Sequence, residues 1–230
     1  RPRSRELDHL PVDHDTSRGQ LAPEARGAAV AGPFEGLRGR LGRRSVIALF
    51  GVAWLASQTA ILWILAPLGS EIARLQTRAF RAEETLRILQ DWEARGVLDA
   101  YRAHFVLDRF HPILYAGFFT ALLCRLFEDL GVSRRWNFVL ALPLLSGLLD
   151  GIENQIQLRF LASPDFSAVV DPLPLLSTLA SDGKWLLVLA YAGASAVLLW
   201  RVRRSRVRPG GSPAPSSGDG APGSPGRPRT

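Results

Sequence analysis

Four apolar blocks interrupt an otherwise polar chain: Ser45 to Leu68, Phe110 to Phe127, Trp136 to about Leu161, and Gly183 to Trp200. They run 18 to 26 residues. At about 1.5 Å of rise per residue, each is long enough for a hydrocarbon core about 30 Å thick. The first (SVIALFGVAWLASQTAILWILAPL) and fourth (GKWLLVLAYAGASAVLLW) are continuous apolar runs. Polar residues break the second and third, which are therefore expected to be shielded from lipid by the other two. The pattern predicts an all-α, polytopic membrane protein, a four-transmembrane-helix bundle with spans at 45–68, 110–127, 136–161 and 183–200.

The connections carry their own signals. Between the first two spans, Gly69 to Arg109 balances seven arginines against seven acids. Its apolar residues recur at helical spacing: Ile72, Leu75, Ala79, then Leu86, Leu89, Trp92, then Leu98, Tyr101, Phe105, with Gly96 as a break. This predicts two amphipathic extracytoplasmic helices lying on the outer surface or over the bundle. Between the last two spans, Ala162 to Asp182 contains SPDF and DPLPLL, whose prolines argue for extended chain rather than a long helix. Residues 1–44 are basic, rich in Arg, Gly and Pro, and lack an apolar period. Residues 205–230 are low-complexity. Both ends are expected to be disordered tails flanking a membrane domain at 45–204.

Charge fixes an orientation. The net charge of +7 resides in the ends, with nine arginines against six acids in residues 1–44 and seven arginines against one acid in residues 201–230. Arg38, Arg40, Arg43 and Arg44 precede the first span, Arg125, Arg134 and Arg135 crowd the second connection, and Arg201 to Arg208 follow the fourth span. Four spans put all three clusters on one side, which predicts a multi-pass protein of the cell membrane with both termini cytoplasmic. Basic tails without interleaved aromatic residues argue against nucleic acid as a partner, leaving the lipid bilayer itself. Cys124 is the sole cysteine, so no intrachain disulfide forms. No phosphate-binding glycine loop, nucleophile elbow or kinase motif is present.

The third block raises the one chemical question. Asp150, Glu153, Asn154 and Gln157 fall at i, i+3, i+4 and i+7, a single helical face. Counted from Trp136, Asp150 lies about 21 Å and Glu153 about 25 Å along a regular helix, in the outer third of the span. At the same depth the second span opens with His104, Asp108, His111 and Tyr115, also on one face, with Pro112 in its first embedded turn. One reading is a hydrogen-bonded network holding the two helices together, with His111, Tyr115 and Arg109 or Arg159 as partners of the carboxylates. Another is a pocket for a lipid headgroup or small ligand. A third is a membrane-embedded hydrolase, with Asp108, His111, Asp150 and Glu153 binding a divalent metal such as zinc; otherwise no cofactor is implied. The inner half of the third block offers only Pro143, Ser146 and Gly147, which speaks against a transport path.

The segments APLGSEIARLQ, AEETLRILQDWEARG, YRAHFVLDRFHPILY and DGIEN together resemble a group of small four-helix integral membrane proteins from bacteria. In that group an Asp/Pro/Tyr-containing span is followed by one with Asp-x-x-Glu-Asn. The resemblance covers about Ser45 to Trp200 and falls on Asp108, Pro112, Tyr115, Asp150, Glu153 and Asn154. It implies the four-span fold but no activity. The pattern has an aromatic residue just before the proline, where this chain has His111.

Overall fold

The computed structural model describes residues 33–207, so the tail assignments for residues 1–32 and 208–230 lie outside the described residues. Within them the chain is helical, and no strand occurs. The elements are α1 (Pro33–Leu41), α2 (Arg44–Leu65) with a 3-10 turn (Ala66–Leu68), α3 (Glu71–Arg78), α4 (Ala82–Ala94) and α5 (Leu98–Asp108). Then follow α6 (His111–Asp129), a 3-10 segment (Arg134–Ala141), α7 (Leu142–Phe160) and α8 (Leu173–Val207). Two stretches, Arg44–Leu68 and Leu173–Ser205, are long and apolar enough to cross a membrane. The pair α5 and α6, bent by 45° at its break, makes a third if it is one span. At 19 residues α7 is about 28 Å long. It carries Asp150, Glu153 and Arg159, so composition alone does not mark it as a span.

Several boundaries differ from the sequence expectation. Helix α8 starts at Leu173, ten residues before the expected fourth span, so the prolines do not exclude helix there. Pro172 precedes the helix and Pro174 falls in its first turn, where an absent N–H costs no intrahelical bond. The expected third span starts with 3-10 winding, and the regular helix begins only at Leu142. Counted along α7, Asp150 lies about 12 Å and Glu153 about 17 Å from its start, central in the helix rather than in its outer third. Three short helices, α3 to α5, occupy the first connection instead of two, and α1 forms in a segment expected to be tail.

Helix α6 packs against α2, α7 and α8, and the α7–α8 interface is the most extensive in the fold. Two apolar cores result. One gathers Leu75, Leu89, Trp92 and Tyr101 of α3 to α5 with Ile156 and Phe160 of α7 and Phe166 and Val169 of the α7–α8 connection. The other joins Leu123, Cys124 and Phe127 of α6 to Leu140 and to Tyr191 of α8. The first core is a cap, and α8 fastens it. Thr178 Oγ1 donates to the carbonyl of Ala79 at 3.1 Å, and the Ala82 N–H at the start of α4 donates to Asp171 Oδ1 at 3.0 Å. A carboxylate at a helix N-terminus satisfies an otherwise unpaired donor and complements the helix dipole. Trp92 Nε1 donates to Glu71 Oε2 at 2.9 Å, tying α4 to α3.

Helices α2 and α6 meet through reciprocal ring-on-glycine contacts. A Cβ placed on Gly117 would lie 2.5 Å from the Phe50 ring, and one on Gly51 would lie 3.1 Å from Phe118. Small residues let helix backbones approach where lipid supplies no hydrophobic drive between helices. Gly117→Ala is therefore expected to destabilise the detergent-solubilised protein by about 1–3 kcal/mol, the usual cost of overpacking. Gly193→Ala, where a Cβ meets nothing within 4 Å, should leave melting unchanged or slightly raise it. Equal melting of the two variants would contradict this packing.

Candidate functional site

The polar face of α7 is longer than the sequence stripe. Ser146, Asp150, Glu153 and Gln157, at i, i+4, i+7 and i+11, are all buried. Facing them on α8 are Ser177, Ser181 and Lys184, buried and likewise spaced i, i+4 and i+7. The centre is an ionic triad. Lys184 Nζ lies 2.8 Å from Asp150 Oδ1 and 2.6 Å from Glu153 Oε2, and Glu153 is fully buried at 0% exposure. Towards the cap, Gln157 donates through Nε2 to Glu153 Oε1 at 2.9 Å and to Ser177 Oγ at 3.3 Å, and accepts from Tyr101 Oη at 2.8 Å. Towards the other end, Ser146 Oγ donates to the Lys184 carbonyl and lies 3.4 Å from Tyr115 Oη. A continuous polar ladder thus links α5, α6, α7 and α8.

This corrects the expected partners. Arg109 and Arg159 are exposed, and the cation that meets the carboxylates is Lys184. The second-span residues lie around this triad: His104, Asp108, His111 and Tyr115 all interact electrostatically with Asp150. A 45° break separates α5 from α6, so His104 and Asp108 approach from α5 and His111 and Tyr115 from α6. His104 Nδ1 meets the Tyr101 carbonyl, and its Nε2 lies 4.0 Å from Asp108 Oδ2. His111 Nδ1 pairs with Ser57 Oγ of α2 at 2.8 Å. Asn154 Nδ2 reaches the backbone carbonyl of Asp108 at 3.4 Å, and the Asn154 side chain also hydrogen-bonds the Asp108 carboxylate. Of the seven sequence candidates, Asp150, Glu153 and Gln157 form the centre, Tyr115 and Asn154 its edges. Asp108 joins the site through Asn154, and His111 approaches it while pairing with Ser57 of α2.

No family model, curated protein or solved structure matches the chain.

The site must therefore be judged on its own chemistry. The metal-site alternative of Asp108, His111, Asp150 and Glu153 finds no support in this geometry. The ammonium already lies between the two carboxylates, and His111 faces α2. Among the described residues no group of three or more His, Cys, Asp or Glu side chains is arranged to hold a metal ion.

One sequence signal pointed to the missing cation: the chain has 28 basic residues, of which Lys184 alone is lysine. A compact ammonium with three donors fits between two carboxylates of one helix face, where the wide planar fork of arginine would force the helices apart. Removing the cation from a buried pair leaves uncompensated charge, typically at a cost of 3–5 kcal/mol. Lys184→Met is thus expected to be severely destabilised in detergent melts. Adding Asp150→Asn and Glu153→Gln should recover most of the loss, because a neutral layer carries no unpaired charge. Failure of the triple variant to recover would show that the residues do more than balance one another.

Proposed function

We propose that the chain is a four-span integral membrane protein with both ends cytoplasmic, and that its buried ionic layer is a structural clamp rather than a reaction centre. On this reading the spans are α2, α6, α7 and α8, and α3 to α5 form an extracytoplasmic cap held on the bundle by the polar ladder. The clamp rests on direct pairing: the carboxylates take the ammonium, and Gln157 joins them to Tyr101 of the cap.

The observation that carries the reading is the division of α7 into two faces. Asp150 and Glu153 are buried against α8, while Leu144, Leu145, Leu148 and Ile152 are exposed on the other side, followed along the helix by exposed Gln155 and Arg159. A helix that fails as a span on composition thereby offers lipid an apolar surface. Even on lenient insertion scales a lone Asp or Lys at the bilayer centre costs about 2.5–3.5 kcal/mol, so burial of all three charges against one another is what makes α7 acceptable. Exposed Leu49, Val52, Leu55 and Leu62 on α2, and Leu186 and Leu189 on α8, extend the same apolar belt. At the basic ends, Arg204 stacks 4.1 Å over Trp200 and Arg135 lies 5.9 Å from the Trp136 ring, the aromatic and cationic pairing typical of a membrane interface. The resemblance to four-helix membrane proteins supports the same count.

Topology reporters test this directly. Fusions after Ser205 and in the α6–α7 connection at Gly131 should report the cytoplasm, and a fusion at Ser167 the exterior. An external signal after Ser205 would require an odd number of spans, and an external signal at Gly131 would mean that α6 and α7 do not cross as proposed.

A further inference from the structure

A second feature lies at the other end of the bundle. A cavity of about 340 Å³ opens between α1, α2, α6, the 3-10 segment and α7. Its walls are apolar, formed by Leu41, Phe50, Cys124, Phe138, Leu140 and Leu144, and its polar residues are Arg38, Thr120 and Asn137. Thr120 Oγ1 is satisfied by the Leu140 carbonyl at 3.4 Å. The other two hold buried atoms without partners, Arg38 Nε and Asn137 Oδ1. Such atoms are uncommon in folded proteins, because an unpaired buried donor or acceptor loses its water without replacement. Arg38 is nonetheless held in place, with its guanidinium 5.0 Å from the Phe127 ring and one terminal nitrogen 3.5 Å from the Val132 carbonyl.

The geometry points to a binding site for one anionic phospholipid of the cytoplasmic leaflet, with an acyl chain in the groove and the phosphate on Arg38. Charge complementarity selects this occupant. The groove is apolar enough for a hydrocarbon chain, and its one cationic lining residue presents an unused N–H. Exposed Arg40, Arg43, Arg44 and Arg135 surround the same end of the bundle. Basic residues at the cytoplasmic surface attract anionic headgroups, each by about 1 kcal/mol. A headgroup bearing hydroxyls as well as a phosphate suits both polar residues: the phosphate pairs with the Arg38 guanidinium, and a hydroxyl hydrogen-bonds the Asn137 amide. The leaflet rests on the four-span reading above; the groove and its ligand class do not.

Native mass spectrometry of the full chain in mild detergent, titrated with dioleoyl phosphatidylglycerol or dioleoyl phosphatidylcholine, is the test. The protein should retain one lipid, with the glycerol headgroup preferred about fivefold, the ratio that one such arginine contact supplies. Arg38→Gln should abolish the preference, and Arg43→Gln should keep it. Ala141→Phe fills the groove and should lose both lipids while remaining monodisperse; if it does not fold, Leu144→Trp narrows the groove from the α7 side with the same expected loss. Equal retention of both lipids by the unmodified protein, or undiminished binding by a folded groove-filled variant, overturns the proposal. Because binding is read in detergent, a topology reporter that reversed the orientation would move the site to the other leaflet without altering this result.

Discussion

An ammonium held by two carboxylates between α7 and α8 is the contact on which the other features depend. Lys184 approaches Asp150 and Glu153 closely enough to pair with both, and this pairing buries the two carboxylates of α7 while Leu144, Leu145, Leu148 and Ile152 face outward. Remove the cation and α7 holds two unpaired buried carboxylates. Remove the carboxylates and Lys184 is an unpaired charge within the longest helix of the fold. Each helix is therefore tolerable only in the presence of the other, which accounts for the α7–α8 interface being the most extensive.

The ionic layer also sets the positions of neighbouring elements. Gln157 continues it to Tyr101, and Tyr101 packs among Trp92, His104 and Phe105, so the cap core is joined to the membrane helices by a polar contact as well as by Ile156 and Phe160. Directional hydrogen bonds suit this role, because apolar packing alone leaves the rotation of one helix against another weakly specified. The α2–α6 contact uses a different device, two glycines each covered by an aromatic ring from the partner helix. Its specificity comes from shape, that of the α7–α8 pair from charge.

Much of this was legible in the chain, and the failures have identifiable causes. Apolar runs located α2 and α8, and the 3.6-residue period put Asp150, Glu153 and Gln157 on one buried face. Lys184 falls at the very edge of the expected fourth block, which begins at Gly183, so the sequence pattern offers arginines of adjacent segments as the partners instead. The helix starts instead at Leu173, and its extra turns carry Lys184 into the bundle. Proline within the first helical turn does not break a helix, so DPLPLL is compatible with the start of α8 at Leu173. The expected second-span residues reach Asp150 from two helices rather than one, because a 45° bend at Arg109 and Phe110 interrupts the helical spacing between His104 and His111. Long-range pairs such as Ser57 with His111 have no local signature at all. The composition did hold one clue, a single lysine among many arginines, whose meaning emerges only once both helices are in place.

The claim that charge pairing locks α7 to α8 is tested most directly by a double-mutant cycle between Glu153→Gln and Lys184→Met, read by reversible unfolding in detergent or bicelles. The account predicts strong coupling, about 1.5 kcal/mol or more, as measured for close charge pairs elsewhere, so that the second substitution costs far less once the first is made. Additive losses, within about 0.3–0.5 kcal/mol, would mean that the two side chains do not act on each other and would contradict it.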